Sequence, residues 1–217
     1  MPDIRRGVIL IGRRTGVLPA LILAASACAH AQQHGGHPTP APAPALLLAP
    51  LAGQPIAVLP AEFVMVDSGI AGVPESRAGR LAWADSVFGE ELQARGPEAT
   101  WVLAPEVRRV ARRAPGILTD PDHMSQAVMR FENLKRVPDP LLSNIRALVA
   151  FTGSRFVMIP AAFRITRTGD GVQVESVLVL ADARSGMIPW RSTPVATGPT
   201  AAAALAATIA RVLPDLH

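Results

Sequence analysis

The stretch "RFVMIPAAFRITRTGDGVQVESVLVLADARSGMIPWRSTPV", Arg155 to Val195, decides the fold. Arg155 to Thr166 reads as a strand, and Phe156 to Ile159 within it is continuously apolar. That pattern belongs to a central strand buried on both faces. Gly169-Asp170-Gly171 is a hairpin turn, and Val172 to Ala181 is the partner strand. Its apolar residues sit at Val172 and Val174, then at Val177 and Val179, so the phase slips near Ser176 and predicts a bulge there. "DARSG" (Asp182 to Gly186) turns the chain again, and Met187 to Val195 makes a third strand. Pro189 and Pro194 cannot donate ladder hydrogen bonds, which places that strand at an edge.

Working outward, helices surround this hairpin. Asp139 to Phe151 is helical, with Leu141, Ile145 and Leu148 inward, and Gly153 supplies a left-handed cap. "PIAVLPAEFVMV" (Pro55 to Val66) is a β-rich run that opens the body. Glu75 to Arg95 is an amphipathic helix with Leu81, Ala84, Phe88 and Leu92 on one stripe, stopped by Gly96-Pro97. "TWVLA" (Thr100 to Ala104) is a short strand. Pro105 starts the next helix, with Val107, Val110 and Ala114 inward and Arg108, Arg109, Arg112 and Arg113 outward. A helical run follows Asp122-His123, with Met124, Val128, Phe131 and Leu134 on one side. An alanine-rich helix, Thr200 to Leu213, closes the chain. The sum is a single α/β domain over residues 53–217, with a mixed sheet and a long C-terminal β-hairpin flanked by helices. It is expected to fold without the first 52 residues.

What precedes the body reads as an export leader and a tether. Arg5, Arg6, Arg13 and Arg14 form a positive start, and "GVLPALILAASA" (Gly16 to Ala27) is an apolar run. It falls short of the about 20 apolar residues needed to span a bilayer but suits a signal peptide. Two cuts fit the 1–31 leader. Ala29-His30-Ala31 would release a chain starting at Gln32. Alternatively, Ala25-Ser26-Ala27 before Cys28 resembles a lipobox, which would make Cys28 a lipidated N-terminus. His30, His34 and His37 precede the alternating Pro38, Pro40, Pro42 and Pro44 in "QQHGGHPTPAPAPA". Gly35-Gly36 and the prolines favour extended coil, and a metal site needs preorganised ligands. Residues 32–52 therefore read as a tether, not a metal centre.

Composition narrows the partners. The chain has 21 Lys and Arg against 17 Asp and Glu, a formal net charge of +4. Four of those basic residues and one acidic residue (Asp3) lie in residues 1–31, which leaves 17 against 16, a net of +1, for the rest. With no Tyr, three Trp and six Phe, base-stacking platforms are scarce, so nucleic-acid binding is disfavoured. The single cysteine leaves no intramolecular disulfide.

Two clusters remain as candidates for function. Arg108, Arg109, Arg112 and Arg113 either grip an acidic partner or form a solvated helix face. His123 beside Asp120 and Asp122 has the residue types of acid–base chemistry, although Asp122 or a neighbour also suits a helix N-cap. Neither a G-x-S-x-G, H-E-x-x-H nor a nucleotide-binding glycine signature is present, and no cofactor is called for.

The order of these elements resembles the α/β domain shared by the curli-secretion lipoprotein, the penicillin-binding-protein activator lipoproteins and the TolB amino-terminal domain. "TGSRFVMI" (Thr152 to Ile159) approximates their step into the central strand. "DARSGMIPW" (Asp182 to Trp190) resembles their strand-turn-strand with an Asp, a turn Gly and a Trp. The resemblance implies an exported, non-enzymatic binding or assembly module of the periplasm or outer membrane. The partner would be an envelope protein or cell-wall component, with a membrane attachment if Cys28 is lipidated. The rival reading is a periplasmic enzyme using His123 with Asp120 or Asp122. For the anchor, Cys28→Ser should move the protein from the membrane pellet to the soluble periplasmic fraction. Intact mass spectrometry showing an unmodified Gln32 N-terminus would exclude lipidation.

Overall fold

The long hairpin organises the computed structural model, which describes residues 43–169 and 171–214. The leader with Cys28 and His30, the tether histidines His34 and His37, Asp170 and His217 lie outside the described residues. β4 (Phe156–Thr168) and β5 (Gly171–Asp182) pair antiparallel over their whole length. On the free side of β4 lie two short strands, β1 (Pro55–Val58) and β2 (Val64–Val66), both parallel to it. β3 (Thr100–Val102) adds outside β1, also parallel. On the free side of β5 lie β6 (Trp190–Ser192) and β7 (Val195–Gly198), both antiparallel to it. The result is a seven-stranded mixed sheet of order β3-β1-β4-β5-β6, with β4 central. The single strand expected over Met187–Val195 is split in two, because Pro194 interrupts it.

The predicted bulge exists but lies on the other strand. Pro160 faces Leu178 and Ala162 faces Val177, so Ala161 is the extra residue, on β4. The slip read into β5 does not occur. Val172, Val174, Ser176, Leu178 and Leu180 alternate without interruption toward one face. Ser176 is simply a polar residue in an inward position, fully buried. Its hydroxyl pairs with that of Thr208 at 2.8 Å, and Thr208 donates on to Leu205 O. A buried hydroxyl so satisfied costs little.

Among the described residues, four α-helices cover the two faces. α1 (Arg77–Arg95) is capped by Ser76, whose Oγ accepts the Gly79 N–H. α4 (Ala201–Val212) is capped by Thr200, whose Oγ1 accepts the Ala203 N–H. Both pack on one face, where Ala84, Phe88, Leu92, Leu205 and Ile209 meet Met158, Phe163 and Ile165. α4 approaches β7 so closely that a Cβ on Gly198 would sit 2.7 Å from Ala204 N. α2 (Ala104–Arg113) and α3 (Leu141–Thr152) cover the other face, with Val107, Leu141, Ile145 and Leu148 against Val157, Ile159 and Val179. Gly153 ends α3 at φ 68°.

Two expectations are corrected. The helix predicted after His123 is instead a 3₁₀ turn, Gln126–Arg130, which follows another at Pro121–His123. Ser125 between them has φ 63°, a left-handed conformation that breaks an α-helix. Met124 and Met129 are buried as a result, whereas Phe131 stays 68 % exposed. The second correction concerns the tether. Residues 43–51 are a strap on the α1/α4 face, with Leu46, Leu48 and Leu51 buried in that core. Leu46 N donates to Val212 O at 2.8 Å, which ties the strap to the end of α4. A body starting at Gly53 therefore lacks part of its own core. Leu48→Ala should cost about 2–4 kcal/mol in urea unfolding; no change would place the strap outside the fold.

Candidate functional site

In parallel α/β sheets, ligands gather outside the carboxyl end of the strand whose two neighbours are reached over opposite faces. Here that strand is β1. Its path to β3 runs over α1 on one face, and the path from β3 to β4 runs over α2 and α3 on the other. Just beyond β1 lie Pro60, Ala61 and Glu62, and the chain's own side chains fill the space around them. The Ala61 N–H donates to Asp85 Oδ1 at 2.7 Å. Asp85 Oδ2 accepts from Arg108 Nη2 at 2.6 Å. Arg108 also forks onto Asp122, with its Nε 2.9 Å from Oδ2 and its Nη2 2.6 Å from Oδ1. Only 5 % of the Asp85 side chain is exposed. Burial pushes its carboxyl up, against the opposing pull of the Ala61 N–H and Arg108. Arg108 is held more firmly protonated than an ordinary guanidinium, first by its bond to Asp122 and then by Asp85.

Gln126 closes the same space from the other side. It is fully buried, and its Nε2 donates to Pro60 O at 3.0 Å and Pro121 O at 3.4 Å. Its backbone N–H donates to Glu62 Oε2. The left-handed Ser125 is what turns this residue inward.

The sequence-predicted residues fall into different roles. Arg108 is not outward but sits between two aspartates. Arg109 pairs with Glu106 one turn back on α2. Arg112 and Arg113 are exposed. Asp120 is the residue that caps, accepting the Asp122 N–H, and its second oxygen lies 2.9 Å from His123 Nδ1. The Asp122 N–H, and then His123, hold the Asp120 carboxyl below its usual range. His123 and Asp120 are 74 % and 58 % exposed, so water competes for both groups. A cleft of about 370 Å³ is lined by Arg108, Arg112, Leu118, Asp120 and Asp122. It brings two of the arginines together with both aspartates, while His123, Arg109 and Arg113 stay outside its walls. The described residues contain no group of three His, Cys, Asp or Glu able to hold a metal ion, and no helix among them is long and apolar enough to cross a membrane.

A second surface lies at the strap. Trp190 Nε1 is 3.1 Å from both Pro44 O and Ala45 O. Beside it, Phe156, Leu180, Pro189 and Trp190 face Leu46 and Leu47 across a groove of about 290 Å³. Leu47 is 73 % exposed. The preceding turn is held by the side chain of Asp182. Asp182 Oδ1 accepts the Arg184 N–H at 2.9 Å and Oδ2 accepts from Arg155 Nη2 at 2.8 Å, with Gly186 at φ 71°.

Asp85, Gln126 and Trp190 are the residues that sequence reasoning missed or undervalued. Asp85 carried a signal, since it follows Ala84 on the buried stripe of α1 and a charge there needs a partner. Gln126 gave none.

No family model matches the chain, and no curated protein is matched by it. Solved structures to which it is similar include the LpoB C-terminal domain from Escherichia coli, at 12% identity and TM-score 0.39, over 68% of this chain and 85% of that one. A PelC dodecamer from Paraburkholderia phytofirmans matches at 16% identity and TM-score 0.39, over 82% and 96%. Lipoprotein GNA1162 from Neisseria meningitidis matches at 16% identity and TM-score 0.36, over 67% and 81%. At such identities and TM-scores they decide nothing about what this chain binds.

Removing Arg108 leaves Asp85 buried without its countercharge. Arg108→Ala should therefore destabilise the fold by about 2–4 kcal/mol, whereas Arg112→Ala and Arg113→Ala should stay within about 0.5 kcal/mol. Equal effects in urea unfolding would return Arg108 to the solvated face.

Proposed function

We propose that this chain is an exported envelope protein whose domain works as a binding or assembly module. The observation that carries the reading is the closure of the crevice beyond β1 by Gln126, Asp85, Arg108 and Asp122. The place where an α/β sheet ordinarily takes a small ligand is built here as a structural joint between α1, α2 and the 3₁₀ turns. What remains for recognition is surface. Arg109, Arg112 and Arg113 project from α2 and suit an acidic envelope protein or cell-wall component. The leader and the Pro-rich stretch before residue 43 agree with export, and a lipid on Cys28 would add membrane attachment.

The enzyme reading rests on the 2.9 Å Asp120–His123 contact. Capping occupies the other Asp120 oxygen, which accepts the Asp122 N–H, and the Asp120–His123 pair lies exposed to solvent outside the cleft walls.

Cross-linked pull-down from native membranes, using the full chain carrying a tag, tests the proposal. Arg109→Ala, Arg112→Ala and Arg113→Ala together should deplete the captured partner while the thermal midpoint stays within a few degrees. A turnover found by activity profiling and abolished by His123→Ala would overturn the binding-module reading.

A further inference from the structure

The methionines among the described residues divide by burial. Met124, Met129 and Met158 are at most 1 % exposed, whereas Met65 and Met187 are 41 % and 42 % exposed. Met187 also has a charged neighbour, because its Sδ lies 3.3 Å from Arg136 Nη1. That contact belongs to a staple. Arg136 Nη2 donates to Ser185 O at 2.8 Å. The Val137 N–H donates to Gly186 O at 2.9 Å, and the Ile188 N–H to Lys135 O at 3.0 Å. Together these bonds hold residues 135–137 against the turn that follows β5. The Met187 side chain joins neither buried cluster, so the core does not depend on its staying apolar.

A thioether sulfur is a weak acceptor, and a guanidinium has donors only. The sulfur contact is therefore the poorest bond of the staple, and oxidation would change it. Hydrogen peroxide transfers one oxygen atom to a thioether. The O–O bond breaks, an S–O bond forms, sulfur gives two electrons to the peroxide, and water leaves. The sulfoxide is polar, which disrupts packing when the methionine is in a core. At Met187 it would supply an oxygen acceptor beside a cation, and hydrogen bonds with an ionised donor are the stronger kind. The side chain is exposed and has three rotatable bonds, so either sulfoxide epimer can turn its oxygen to the guanidinium.

We propose that Met187 is an oxidation site for peroxides, at which sulfoxide formation tightens the staple between residues 135–137 and the turn after β5. The site uses no part of the α2 surface proposed above and does not depend on it.

Peptide mapping of the full chain after brief exposure to hydrogen peroxide should find sulfoxide at Met65 and Met187 before Met124, Met129 and Met158. Sulfoxide at Met65 with Met187 left unmodified overturns the proposal. The consequence is read in the Met65→Leu chain, where Met187 is the exposed methionine among the described residues. Its thermal midpoint should rise by about 2–4 °C on oxidation, the gain of roughly one charge-assisted hydrogen bond. The rise should vanish when Arg136→Ala or Met187→Leu is added. A fall, no change, or an equal rise without Arg136 overturns the proposal. Hydrogen exchange gives a readout that needs no Arg136 variant, should that variant fail to fold. The Val137 amide, bonded to Gly186 O, should exchange severalfold more slowly after oxidation, and unchanged or faster exchange overturns the proposal.

Discussion

One extra residue in β4 sets the rest of the architecture. Ahead of Ala161, even-numbered Phe156 and Met158 face α1 and α4; after it, odd-numbered Phe163 and Ile165 do. Without the bulge, the two-residue period would turn Arg164 inward and Phe163 outward. β5 needs no such correction, because Val172 to Leu180 keep one parity throughout. The bulge therefore lets a strand with mismatched halves pair in full with a strand that is uniform. It also excuses Pro160, which would weaken an unbroken central strand.

The edges of the sheet follow the same break. β1 stops and β2 restarts on either side of the bulge, with Phe63 O accepting the Phe163 N–H where pairing resumes. β6 and β7 are interrupted opposite Ser176, whose N–H goes to Pro194 O. The interval between β1 and β2 is the same stretch, Pro60 to Glu62, that Gln126, Asp85 and Arg108 close off. The joint between the helical layers thus exists because the hairpin has a kinked middle.

The hairpin, the central strand, the four packed helices and the Gly153 cap were legible because their signals are local. Apolar period and a glycine at a helix end act within a few positions, whereas the Ser76 and Thr200 caps were not read. Ser176 misled the reading because a polar residue at an inward position looks like a change of phase when its partner, Thr208, is invisible. The run from Met124 to Leu134 has helical spacing, yet Ser125 takes a left-handed turn so that Gln126 can reach Pro60 O, a contact 66 residues away. Arg108 matched its exposed neighbours in type and spacing, and only the fold brings Asp85 and Asp122 to it. In the strap, Pro and Ala composition outweighed Leu46, Leu48 and Leu51, whose burial depends on α1 and α4.

The strap also orders events during folding. It is among the first parts of the described body to be synthesised, yet its anchors are Trp190, 146 residues on from Pro44, and Val212 at the end of α4. Contacts of such separation form only after the intervening chain has closed around its own core. Docking of residues 43–51 therefore needs Trp190 and the end of α4 already in place, since they supply its anchors. Until then Leu46 and Leu48 remain uncovered, and the moment they disappear reports that the whole domain has assembled.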